Sequence, residues 1–156
     1  LDNIFRLFNE LKTSNPGSGE LQDRLVDGMP LYLHVAELVD SWGAQAMGEN
    51  GYSKVGAVVG ATHPEQGRIL RKRLPRTFFL VPGYGAQGGC GEDLAGYFDE
   101  EGLGALVNSS RGIIAAYLQD GECRERDPDG KGFSLLSRNA VIRMRDDLQR
   151  SMGGRG

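Results

Sequence analysis

The densest run of chemistry-bearing residues is Pro82-Gly83-Tyr84-Gly85-Ala86-Gln87-Gly88-Gly89. It leaves the apolar run Thr77-Phe78-Phe79-Leu80-Val81 and enters a helix-like segment. Closely spaced glycines let backbone N–H groups converge on an anion. Gly83, Gly85 and Gly88 match the dinucleotide spacing G-x-G-x-x-G literally, but the next strand offers no terminal acidic residue for a ribose. It ends instead in Asn108-Ser109-Ser110-Arg111. An arginine beside the start of a helix suits a phosphate monoester, because charged donors and backbone N–H groups both favour an anion there. Two consecutive strand ends thus offer donors to one phosphate. The same residues also fit a tight turn followed by a surface arginine.

Other polar groups fall near these loops. Thr13-Ser14-Asn15-Pro16 reads either as a turn or as a polar cap over a ligand. His63 follows the run Val55–Val59 and could face the same mouth, or be a solvated loop histidine. His34 belongs to a helix and reads as structural. Glu92 and Asp93 fall in a first helical turn, where the helix dipole favours acidic groups, and read as caps rather than a catalytic pair. Tyr84 could lie over a ligand or stand exposed. No complete catalytic constellation is visible. There is no G-x-S-x-G, and no lysine among Lys12, Lys54, Lys72 and Lys131 stands beside a carboxylate at a predicted strand end.

The elements that must position these groups alternate. Leu1, Ile4, Phe5, Leu7, Phe8 and Leu11 have helical spacing, which predicts an amphipathic helix over 1–11. Pro30 opens a second helix, with Leu31, Val35, Leu38, Val39 and Trp42 on one face, running to about Met47. Val55–Val59, apolar on both faces, predicts a buried parallel strand. Pro64–Leu74 predicts a helix whose outer face carries Arg68, Arg71, Lys72 and Arg73. Strands follow at Thr77–Val81 and Gly104–Val107, with helices at Glu92–Phe98 and Ile113–Leu118. Gly121–Gly132 reads as a polar surface loop. Phe133, Leu136, Ala140, Val141, Met144 and Leu148 predict a terminal amphipathic helix of three to four turns. The tail Gly153–Gly156 is expected to fray.

The sum is an α/β chain of 156 residues, read as one domain with a parallel sheet. Either a small doubly wound sheet or part of a (β/α)8 barrel fits, and both put function at the C-terminal ends of strands. A whole barrel needs about 250 residues. The net charge of −3 argues against a nonspecific nucleic-acid binder, and no apolar run approaches a membrane span. Residues 1–11 do not read as a signal peptide. Cys90 and Cys123 are far apart and predict free thiols in a reducing compartment. With two histidines and no ligand-spaced cysteines, a structural zinc site is not expected.

Four separated motifs carry a resemblance: Thr13-Ser14-Asn15-Pro16-Gly17, Gly56-Ala57-Val58-Val59-Gly60-Ala61-Thr62, Pro82–Gly89 and Val107-Asn108-Ser109-Ser110-Arg111-Gly112-Ile113. In order and spacing they resemble the orotidine 5'-phosphate decarboxylases, in particular the longer bacterial subclass. The helix containing Asp146, Asp147 and Leu148 resembles the family's C-terminal helix. The resemblance implies a (β/α)8 TIM barrel of which residues 1–156 form roughly the C-terminal half. It implies a cytoplasmic homodimer with active sites at the dimer interface. The reaction would convert orotidine 5'-monophosphate to uridine 5'-monophosphate and CO2 in de novo pyrimidine synthesis, with no metal or organic cofactor. By the same resemblance Ser14 contacts the pyrimidine, Gln87 bridges base and phosphate, and Arg111 binds phosphate with backbone help near Gly85 and Ser110. The substrate is a small molecule, and neither nucleic acid nor membrane is implied as a partner.

The family's charged Lys-Asp-Lys-Asp network carries the signature Asp-x-Lys-x-x-Asp, which does not occur in these 156 residues. No catalytic residue is therefore assigned, and the isolated span is expected to be inactive. A preorganised cation is needed to stabilise negative charge at pyrimidine C6 and then protonate it. The alternative is a noncatalytic phosphate-binding or assembly module. An isomerase or aldolase of sugar phosphates is a third reading, against which the Ser14 loop together with Gln87 argues. The family pattern also wants an extended run before Lys12, where the apolar spacing predicts a helix. A half barrel would leave two sheet edges open, with a risk of association.

Overall fold

In a computed structural model of the protein, residues 7–85, 88–119 and 131–153 are described. Strand β1 (Leu7–Lys12) leads through a short 3-10 turn to α1 (Gly19–Gln22). A two-stranded hairpin follows, β2 (Leu25–Val26) and β3 (Met29–Pro30), and then α2 (Leu31–Ala44). Next come β4 (Val55–Val59), α3 (Pro64–Arg73), β5 (Phe79–Pro82), α4 (Gly91–Leu94), β6 (Ala105–Asn108) and α5 (Ser110–Ile114). The 23-residue α6 (Lys131–Gly153) ends the described chain. The loop reading of Gly121–Gly132 lies largely outside the described residues, as do Cys123 and the end of the glycine tail.

The principal sheet has the order β1-β4-β5-β6, with every pairing parallel. A doubly wound sheet reverses its strand order at a switch point. Here sequential strands are sequential neighbours, which is the winding of a (β/α)8 barrel.

Side-chain alternation explains the layers. Phe79 and Val81 of β5 are fully buried with Ala57 and Val59 of β4, and they meet Val39, Leu70, Leu94 and Tyr97 from the helical side. The other face carries the cross-strand row Glu10–Val58–Leu80–Leu106, where Leu106 is 57% exposed. That face corresponds to the interior of a closed barrel.

Several expectations are corrected. Residues 7–12 form β1, not a helix. Their apolar spacing fits a helix, but pairing with Val55–Val59 satisfies the backbone in extended form. Residues 1–6 lie outside the described residues. On α2 the buried face is Tyr32, Leu33, Ala36 and Val39, while Leu38 and Trp42 are about half exposed. Arg71 does not join an outer basic face but is buried, with its guanidinium 4.1 Å from the Phe79 ring centroid. Helix α6 runs longer than three to four turns; of its predicted face Leu136, Ala140, Met144 and Leu148 are half-buried, while Phe133 and Val141 are exposed and Met152 also reaches the core. The hairpin turn, with positive φ at Asp27 and Gly28, was not anticipated, although Asp-Gly between apolar pairs is its sequence signal. No helix among the described residues is long and apolar enough to cross a membrane.

Candidate functional site

Loops from β1, β4, β5 and β6 gather at the C-terminal edge of the sheet. The β1 loop is pressed against the end of β4. The Gly60 N–H donates to the Lys12 carbonyl at 2.6 Å, and a Cβ on Gly60 would stand 2.6 Å from the Ser14 nitrogen. Only glycine admits this approach, which brings Ser14 to the mouth. The Thr62 hydroxyl donates to the Ser14 carbonyl at 3.4 Å.

A cavity of about 160 Å³ opens between Ser14, Pro82–Tyr84 and Asn108–Arg111. Ser14, from one motif, and Ser110 and Arg111, from another, therefore share one cavity. Arg111 is its one cationic lining residue among the described residues. The Ser109 hydroxyl donates to the Tyr84 carbonyl at 3.0 Å, tying the loop after β6 to the loop after β5. Gly85 lies across Tyr84 and Ser109, in a second groove of about 680 Å³ bounded by α6. Its N–H donates within the loop to Gly89 at 2.8 Å. Gln87 lies outside the described residues.

The glycine-rich segment takes positive φ at Gly83, Gly85 and Gly88, a region that side chains with a Cβ rarely enter. Its flanks are held by α6. The Tyr84 hydroxyl donates to Asp147 at 2.8 Å, and the Gly91 N–H donates to the same carboxylate at 2.7 Å. Burial, with the Asp147 contact, pushes the Tyr84 phenol up to about 12. It therefore stays a protonated donor at neutral pH.

Two charged groups depart from their sequence reading. Lys12 does stand beside a carboxylate at a strand end: its Nζ lies 2.7 Å from Asp23 Oδ1. The register shifts between Glu10 and Lys12, and such a bulge re-aims a side chain. Lys12 is fully buried and does not line the Ser14–Arg111 cavity. His63 is neither in that cavity nor simply solvated. Its Nε2 lies 3.2 Å from the Ser18 hydroxyl, and burial together with the nearby Lys12 charge lowers its pKa. His34 fits its structural reading, with Nε2 donating to the Val26 carbonyl at 2.8 Å. Asp93 fits its capping reading, closing a capping box with Cys90 at the start of α4. Cys90 is a free, exposed thiol.

A hollow of about 910 Å³ lies at the opposite edge, around Tyr52, Arg71 and Asp99. Arg71 there donates to the carbonyls of Thr77 (2.7 Å) and Gly104 (3.1 Å), which precede β5 and β6. The N-terminal edge of such a sheet serves stability rather than chemistry. Among the described residues no group of three or more His, Cys, Asp or Glu could hold a metal ion.

No protein-family model matches the chain. An orotidine 5'-phosphate decarboxylase of Rhodopirellula baltica is 51% identical over 143 residues, covering 92% of this chain and 47% of the relative. A solved OMP decarboxylase from Leishmania donovani superposes with a TM-score of 0.64 at 32% identity, covering 92% of this chain and 48% of that one. The Leishmania donovani UMP synthase does so with a TM-score of 0.61 at 38% identity, covering 88% and 28%. The chain thus spans about half the length of the curated relatives it matches. In both sequence and fold it corresponds to the C-terminal half of orotidine 5'-phosphate decarboxylases.

Proposed function

We propose that this chain is the phosphate- and base-binding half of an orotidine 5'-monophosphate decarboxylase, whose whole protein forms uridine 5'-monophosphate and CO2. The observation that carries the reading is the shared cavity of Ser14, Ser110 and Arg111, built from separate strand-end loops. A phosphate monoester would take a charge-assisted bond from Arg111, and the pyrimidine would lie toward Ser14. Gln87 would bridge the two, and the backbone near Gly85 would close on the phosphate. Such remote contacts supply binding energy that the reacting centre draws on.

The chemical step needs a cation at C6 of the base. Lys12 does not serve this role in our reading, since it is fully buried against Asp23 and absent from the cavity lining. The span by itself is therefore a binder that does not release CO2. Titration calorimetry with uridine 5'-monophosphate tests the reading. Arg111→Ala is expected to weaken binding about 10- to 100-fold, the worth of a hydrogen bond to a charged group. Ribose 5-phosphate is expected to bind more weakly than the nucleotide. Equal affinities of wild type and variant would overturn the assignment of Arg111. A preference for the sugar phosphate would favour an isomerase or aldolase instead.

The absence of Asp-x-Lys-x-x-Asp from these residues favours one other reading, a noncatalytic phosphate-binding or assembly module. Loss of CO2 from orotidine 5'-monophosphate, assayed with the product of the complete gene, separates the two.

A further inference from the structure

Asp147 lies far along the chain from the glycine-rich segment, on α6, yet a single oxygen of it receives a bond from each flank of that segment. The Tyr84 hydroxyl reaches Oδ2 at 2.8 Å and the Gly91 N–H reaches it at 2.7 Å. The other oxygen, Oδ1, faces Arg150 at 3.8 Å, and the Asp147 carbonyl accepts from the Ser151 hydroxyl at 2.9 Å. Close approach is built into the sequence. A Cβ on Gly91 would stand 2.7 Å from both the Asp147 carbonyl oxygen and Oδ2.

The bonded flanks add to the close packing of Gly89 against Ala61 in defining the described glycines of the segment. Glycine backbones have many conformations to lose on ordering. Within the loop, Gly85 N–H donates to Gly89 and Gly88 N–H to Gly85, at 2.8 and 2.9 Å. Those bonds form one small ring whose orientation toward the sheet they do not set. Tyr84 is also the residue whose carbonyl holds Ser109, next to Ser110 and Arg111. A shift of Tyr84 would therefore move two of the three loops that line the cavity.

We propose that Asp147 is a positioning residue, a two-ended latch by which α6 holds the glycine-rich segment and the Ser109–Arg111 loop in register for one anion. Its ligand-binding consequence rests on the nucleotide reading above, whereas the latch itself is a property of the free chain. Two bonds to one carboxylate oxygen leave the amide side chain of asparagine able to accept both, so Asp147→Asn should preserve the latch and Asp147→Ala should break it. A residue that only packed α6 against the core would not discriminate in this way through the loop.

The test is amide hydrogen exchange on the 156-residue chain, followed by titration with uridine 5'-monophosphate. In Asp147→Ala, exchange at Gly85, Gly88 and Gly91 should rise about tenfold or more, with Val58 and Leu80 in the sheet unchanged, as for loss of a hydrogen bond to a charged group. Nucleotide affinity should fall by a similar factor, and Asp147→Asn should restore both. Unchanged exchange at these glycines in Asp147→Ala would overturn the proposal, as would an Asn variant no better than Ala. If the alanine variant does not fold, Tyr84→Phe removes one end of the latch and should raise exchange at Gly85 but not at Gly91. Equal protection of Gly85 in that variant would also overturn it. Absence of nucleotide binding by the wild-type chain would sink the functional reading and leave exchange to judge the latch.

Discussion

Lys12 is the residue whose chemistry most depends on one local irregularity. Along a regular strand it would share a face with Glu10, in the row that lines the inner side of the sheet. The register shift places it opposite Val59, buried and paired with Asp23. A buried cation needs such a partner, because desolvation without one costs several kcal/mol. The Gln22 side chain accepts from the Thr13 N–H at 3.1 Å, so α1 and its C-cap Asp23 hold the start of the Ser14 loop at two successive residues. His63 reports on the same corner. Burial, then the Lys12 charge, lowers its folded pKa below the ordinary value of about 6.5. The unfolded chain then holds more protons between the two values, so this contribution to stability is full above about pH 6.5 and is lost as pH falls toward the folded pKa. Denaturation midpoints measured from pH 8 to 5.5 should fall, and His63→Gln should flatten that part of the profile. An identical profile in the variant would mean that other groups carry the slope.

At the level of elements, α3 meets the 3-10 turn Ala95–Tyr97 through a glycine. Tyr97 is fully buried, and its hydroxyl lies 2.8 Å from the Gly60 carbonyl and 2.9 Å from that of His63. It therefore ties the loop after β4 to the turn before β6. A Cβ on Gly67 would stand 2.2 Å from the Tyr97 ring. Alanine gains about 1 kcal/mol over glycine in a helix interior. Here the gain is outweighed, because the ring is buried and tethered and overpacking costs about 1–3 kcal/mol or more. Gly67→Ala is thus expected to destabilise by about 2 kcal/mol in urea denaturation. A stabilised variant would show that Tyr97 can yield. Val55–Val59 matches β4 residue for residue because a run apolar on both faces has few alternatives. Residues 7–12 did not follow their helical spacing, since a strand partner 48 positions away in register is invisible to local periodicity.

For the whole molecule the decisive feature is that β1 and β6 are edges of a four-stranded parallel sheet among the described residues. Parallel sheets are ordinarily covered on both faces. Here Leu106 on the inner face, Leu103 before β6 and Ile114 and Leu118 after it are half exposed or more. An uncovered edge with apolar neighbours is a template for pairing. The 156-residue chain is expected to associate with rising concentration, and Leu106→Lys to reduce that association, by sedimentation velocity. A wild-type chain that stays monomeric at high concentration would contradict this. The chain's coverage of about half of the Rhodopirellula and Leishmania decarboxylases agrees with a sheet that shows half a barrel's strands.

Composition, both-sides-apolar runs and glycine placement in the sequence alone determined a parallel α/β chain, its middle strands and the loops worth watching. The glycine-rich loop after β5 and the Asn108–Arg111 loop after β6 were legible because strand ends need particular residue types at particular spacings, and those signals are local, whereas the choice of Ser14 and Ser110 rests on the family resemblance. Tertiary structure alone decided the rest. The strand at 7–12, the turning of Lys12 toward Asp23, the burial of Arg71 under carbonyls and the reach of Asp147 to Tyr84 and Gly91 all join residues distant in sequence. No short window of residues contains both partners of such a contact, and the free energy that selects it arises only when the sheet and its helices close on each other.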